Sequence, residues 1–295
     1  MQFNTILFHT RFREMAFNSL EAVVELKAAG LKKVVLTYII DREDVAFVPY
    51  GGYLKKEESR IRETAETRFE EWRNMLEAHG IESTLRIEVG GDNASIIDVA
   101  EEEKVDLIVA GRKERGLLER IYVGSHILDL LRRSSVPVLM GKYRANYESD
   151  GTELVKINDA IFTRPMLATD WSKPSQNAIE ALTALAGAAE ECLICHVIDE
   201  KLTKGISEAE FDTIREESQS RLDAVQKQLA DAPFEVTTHL AVGQTVPEIL
   251  RTSREQEASL IVMGRTGKDW FEEYWLGGVT HRVAELSELP VMVVP

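Results

Sequence analysis

The chain reads as α/β, with two tandem domains that are each a doubly wound, Rossmann-like parallel sheet. Three observations predict this. Strand-type apolar runs alternate with helical segments along the whole chain. Its 295 residues correspond to about two domains of roughly 150 residues. The alternation is also written twice, with Gly111 and Gly264, Gly124 and Gly277, and Pro137 and Pro290 each 153 positions apart. Self-similarity at that distance means a duplicated domain rather than a short-period solenoid.

In the first half, Thr5 to His9 is a short apolar run, followed by a helical segment around Phe17 to Ala29. Val34 to Ile40 is nearly continuous and β-branched, as expected of a strand covered on both faces. A charged helix is predicted from about Glu57 to His79, then a strand from Thr84 and a helix near Ser95 to Glu103. A strand from Leu107, a helix from Ser125 and a strand from Val136 to Met140 complete the half. The second half repeats the order. Its strands are predicted at Met166 to Thr169, Cys192 to Ile198, Glu235 to Val242, Leu260 to Met263 and Pro290 to Val294. Its helices are predicted at Ala178 to Ala188, Glu208 to Ala230, Pro247 to Gln256 and Thr280 to Glu285. Such alternation implies parallel pairing with right-handed crossovers.

Residues 1–143 are the first expected domain, 144–159 a polar linker without periodicity, and 160–295 the second domain. Arg11 aligns with Asp170 and Asp41 with Asp199 at offsets of 159 and 158. The first half is therefore longer by about five residues between its second and third strands, where loop length varies freely.

The net charge of −15 excludes general binding to nucleic-acid polymers and anionic membranes, which need cationic surface. Neither a leader nor an apolar run of about 18 residues is seen, so the cytoplasm is the expected compartment. Two cysteines make no disulfide scaffold, and six scattered histidines form no metal-spaced pair.

In an open parallel sheet, ligands lie outside the carboxyl ends of the strands. Three segments of the second half reach that edge: Thr169-Asp170-Trp171-Ser172, His196 to Asp199, and Met263-Gly264 through Gly278. Asp170 is a candidate acceptor for ribose hydroxyls or an adenine amino group, and the Val197 backbone a partner for an adenine edge. Gly264 and Gly267 permit close backbone approach. Gly277, Gly278 and the amides that follow suit a phosphate at a helix N-terminus, where the dipole favours negative charge. Arg265 and Lys268 are candidate sources of positive charge, and Thr280 of a hydroxyl.

Together these residues resemble the universal stress protein family in its tandem form, over nearly the whole chain. The motif is Gly, two residues, Gly, nine residues, Gly, then Ser or Thr. The resemblance implies five-stranded parallel sheets, binding of ATP or another adenine nucleotide, and pairing through the last strand. That pairing is either between two chains or, as a pseudo-dimer, within one chain at Val136 to Met140 and Leu289 to Val294. It also implies a regulatory role in stress response, with a protein partner that the sequence does not name. The second half keeps Asp170, Gly264, Gly267 and Gly277 but has Gly278 where Ser or Thr is usual. A backbone N–H remains there without the hydroxyl, which leaves ATP (with Mg²⁺), ADP and AMP all open. The first half keeps Gly111, Gly124 and Ser125 but has Arg11 in the Asp position and Glu114 in the second Gly position. Arg11 cannot accept a hydrogen bond, so nucleotide is expected mainly in the second half.

Other readings weigh less. Cys192-Leu-Ile-Cys195-His196 matches a haem-attachment pattern, but it lies inside an apolar strand where residues three apart face opposite ways. Gly264 to Lys268 lacks P-loop spacing. Trp270, Phe271, Tyr274 and Trp275 crowd the nine-residue loop, as a lid or as a contact surface. No nucleophile–base pair is legible, so efficient catalysis is not expected. A slow Mg²⁺-dependent ATPase or phosphotransfer enzyme and a ligand-free interaction scaffold are the alternatives.

Overall fold

The computed structural model describes residues 1–12, 16–47, 52–111, 125–142, 144–147, 153–156, 160–265 and 276–295. The first half contributes β1 (Thr5–His9), β2 (Lys33–Asp41), β3 (Glu82–Gly90), β4 (Leu107–Gly111) and β5 (Val138–Gly141). The second contributes β6 (Pro165–Ala168), β7 (Glu191–Asp199), β8 (Glu235–Gly243), β9 (Leu260–Gly264) and β10 (Val291–Val294). All ten form one sheet in the order β8-β7-β6-β9-β10-β5-β4-β1-β2-β3. Pairing within each half is parallel throughout. The halves join where β10 and β5 run antiparallel, with Val291 opposite Met140, Met292 opposite Leu139 and Val293 opposite Val138.

The helices are α1 (Ala16–Val24), α2 (Lys55–Ala78), α3 (Asp92–Glu102) and α4 (Ser125–Arg133), then α5 (Lys173–Ala184), α6 (Glu208–Gln228), α7 (Thr245–Glu255) and α8 (Gly278–Leu286). The sheet is apolar on both faces because successive strand residues point opposite ways. Val34 and Leu36 join a core with Leu20, Phe69, Ile179 and Leu222, so α1, α2, α5 and α6 cover one face. Val35 and Ile39 join a core with Ile96, Leu130, Ile249 and Val283, under α3, α4, α7 and α8. Each core runs through both halves. Where they touch, Gly187 adopts φ +94°, and a Cβ there would stand 2.2 Å from the Ala28 carbonyl oxygen.

Local chemistry moves some boundaries. Helix α5 starts at Lys173 rather than Ala178, because the Ser172 hydroxyl accepts from the Ser175 amide and Pro174 occupies the first turn. Helix α6 starts with a capping box between Ser207 and Glu210. The stretch predicted as a polar linker contains an antiparallel hairpin, Arg144–Tyr147 with Glu153–Lys156. Four-residue strands are too short for alternation to stand out from a polar background. Among the described residues no helix is long and apolar enough to cross a membrane.

Candidate functional site

At the carboxyl edge of the second half, a cavity of ≈ 360 Å³ opens between β6, β7, β9 and the starts of α7 and α8. The loop after β6 forms one wall. Asp170 Oδ1 accepts from the Ser172 amide at 3.0 Å and the Ser175 hydroxyl at 2.7 Å. Both bonds fall on Oδ1, which leaves Oδ2 as an acceptor. They make the side-chain turn typical of Asp before a helix. The Thr169 hydroxyl accepts from the Trp171 amide, and Trp171 sits at φ +68° with its ring tilted against His196 at 4.7 Å. His196 Nδ1 lies 2.7 Å from the Thr169 carbonyl oxygen and donates to it when protonated.

The opposite wall is the end of β9 and the start of α8. Gly264 packs against the start of α5. The Thr280 hydroxyl donates to the Gly264 carbonyl at 2.8 Å and fixes the first turn of α8 to β9. The Gly277 amide donates to the Arg265 carbonyl at 2.9 Å. Helix α8 has Gly277 as its N-cap and no side-chain cap bond. Among the described residues no side chain caps its first-turn amides, which suits them to an acceptor from outside the helix.

Thr169, Asp170, Val197, Met263, Gly264, Gly277, Gly278 and Thr280 all line this cavity. Arg265 does not: its guanidinium donates to the Arg132 and Ser134 carbonyls of the first half, at 3.1 and 2.8 Å. Gly267, Lys268, Trp270, Phe271, Tyr274 and Trp275 lie outside the described residues. Sequence reasoning missed Leu202, Thr245, Ile249 and Val279 as lining residues; it brought Asp199 to the ligand edge without giving its side chain a role. The Asp199 carboxylate accepts from the Lys201 amide at 2.9 Å and the Thr245 hydroxyl at 2.8 Å. The Lys201 amide, with the Thr245 hydroxyl, holds that carboxyl below its usual range. A Thr at a helix start three elements later was the only available signal.

Cys192 and Cys195 belong to the two opposite cores, and burial pushes both thiols up to about 12. Neither has the thiolate character that ligation or redox chemistry requires. Among the described residues, no three His, Cys, Asp or Glu side chains gather as a metal site.

The first half repeats the frame with different chemistry. Phe12, at φ +51°, tilts against Tyr38 at 5.2 Å, as Trp171 does against His196. Arg11 takes the place of Asp170, and its guanidinium pairs with Asp41 at 3.2 Å. Gly111 ends β4; Glu114 and Gly124 lie outside the described residues, and of Ser125 only the backbone is described.

Two doubly wound domains, with a glycine-walled crevice at the strand ends of one of them, define a tandem Rossmann-like protein of the kind that takes ligands at its sheet edge. The chain belongs to the Universal stress protein family, which matches residues 2–142 and again 162–295. Universal stress protein MJ0577 of Methanocaldococcus jannaschii is 29% identical over 154 residues, covering 45% of this chain and 95% of that protein. A universal stress protein of Mycolicibacterium smegmatis is 26% identical over 224 residues, covering 74% and 70%. A solved universal stress protein from Archaeoglobus fulgidus superposes with a TM-score of 0.67 at 23% identity, covering 99% of this chain and 96% of that one, and so shares the fold.

Proposed function

We propose that the chain is a cytoplasmic regulatory protein that binds one adenine nucleotide (ATP, ADP or AMP) in its second half, residues 160–295. The first half, residues 1–143, then serves as a partner domain that binds nucleotide weakly or not at all. The observation that carries this reading is the cavity with Asp170 on one wall and the uncapped, glycine-led N-terminus of α8 on the other. One wall offers a carboxylate to hydroxyl or amino donors, and the other offers amides and a positive pole to phosphate. Its ≈ 360 Å³ falls at the small end of ligand pockets, about 300–1,000 Å³, which suits one mononucleotide. In the first half the Arg11–Asp41 pair replaces the acceptor with a cation already engaged. The antiparallel β5–β10 joint supports the reading of the chain as a pseudo-dimer in itself.

The test is calorimetric titration of nucleotide-stripped protein with AMP, ADP and ATP, with and without Mg²⁺. One site per chain is expected. Asp170→Asn keeps an acceptor for Ser172 and Ser175 but turns the outer oxygen into a donor. It should weaken binding by about 2 kcal/mol, the scale of a hydrogen bond to a charged group. Two equivalent sites per chain would overturn the asymmetry, and no binding by folded protein would overturn the function.

A further inference from the structure

The geometry points to Lys142, in the half without the ligand cavity, as a positioning residue for the phosphate end of the site in the other half. This rests on the nucleotide reading above. Lys142 follows β5 directly and is 4% exposed. Its Nζ donates to the Ala284 carbonyl at 2.6 Å and the Ser287 carbonyl at 2.5 Å. Ala284 lies in the last turns of α8, and Ser287 is its C-cap residue. The nine residues of α8 span about 13 Å at 1.5 Å per residue. One rigid rod thus has its N-terminus at the cavity and its C-terminus against the other half.

The cavity walls explain why this matters. Among the described residues its lining includes the carboxylates of Asp170 and Asp199 but no lysine or arginine. There, attraction for phosphate falls to the first-turn amides of α8 and to its dipole. A cation at the opposite end neutralises the negative pole and satisfies carbonyls that the helix leaves without partners. It also fixes the rod mechanically. Thr280 ties the N-terminal end to Gly264, and Lys142 ties the C-terminal end to β5. Without the second tie, the last turn frays and the helix pivots about Thr280, which takes the amides out of line. The traffic runs both ways, because Arg265, next to Gly264, holds the carbonyls at the C-terminal end of α4 in the first half.

The test compares phosphorylated and unphosphorylated ligands. Wild type, Lys142→Met and Lys142→Arg are titrated with ADP and with adenosine. Loss of a buried cation at a helix C-terminus should weaken ADP binding by about five- to tenfold. Adenosine, which does not reach the amides of α8, should bind with unchanged affinity, and Lys142→Arg should restore ADP binding. If Lys142→Met fails to fold, Lys142→Gln removes the charge, keeps an amide donor and permits the same comparison. Equal weakening of both ligands marks Lys142 as merely structural and overturns the proposal, as does unchanged ADP affinity in a folded variant. A wild-type protein that binds no nucleotide overturns the underlying reading itself.

Discussion

A methyl group on Gly264 has no room. Its Cβ would stand 2.7 Å from the Pro174 carbonyl carbon and 2.8 Å from the Ser175 amide nitrogen, both backbone atoms at the start of α5. Gly111 ends β4 in the same motif position, yet among the described residues a Cβ there meets nothing within 4 Å. Gly264→Ala should therefore lower stability by about 1–3 kcal/mol, as forced overpacking does. Gly111→Ala should stay within about 0.5 kcal/mol. Denaturant unfolding of the two variants checks this, and equal losses would contradict it. The sequence announced both glycines through their spacing. It did not reveal which one was sterically required, because Pro174 is brought there only by folding. Arg265 teaches the same lesson. The sequence marks it as a candidate source of positive charge beside the motif; only folding brings its guanidinium to the Arg132 and Ser134 carbonyls. Arg11 was legible as a departure, but its pairing with Asp41, 30 positions away, was not.

Two helices of the second half begin in opposite ways. Helix α6 is surface-exposed along most of its 21 residues, and Ser207 and Glu210 close its N-terminus reciprocally. Helix α8 starts on glycine, with no side-chain cap among the described residues. The long helix gains stability at its end, and the short one keeps its donors for the cavity. Ser207→Ala should lower stability by about 1 kcal/mol, the usual value of an N-cap, and leave nucleotide affinity unchanged. Thermal melts with and without ligand separate the two effects. Most elements were legible because periodicity of 3.6 or 2 persists across each of them. The elements that escaped are short, such as the Arg144–Tyr147 and Glu153–Lys156 hairpin and the first turn of α5, which is set by Ser172 and Pro174.

Neither core cluster stops at the boundary between halves. Leu26 and Leu31 share one with Leu182 and Leu185, and Leu139 shares it with Met292. The sheet is continuous through β5 and β10, and Lys142 and Arg265 bridge the halves from opposite sides. The chain should unfold as one cooperative unit, despite its two domains. Tryptophan fluorescence and far-ultraviolet circular dichroism followed through urea should give coincident transitions, since that is the mark of two-state behaviour. Two separated transitions would mean that the joint contributes little. Duplication was plain in the sequence from the constant offset, whereas the antiparallel sense of the joint rests on pairing between residues far apart in the chain.

The difference between Arg11 and Asp170 has a consequence for what a double-barrelled chain can become. A symmetric pair of identical subunits must carry every substitution twice, so neither crevice can change without the other. Here the two crevices are encoded separately yet made in strict one-to-one ratio, and no mismatched assembly has to be avoided. One crevice is free to hold an internal ion pair while its twin stays open, and each molecule carries its own fixed asymmetry from the moment it is translated.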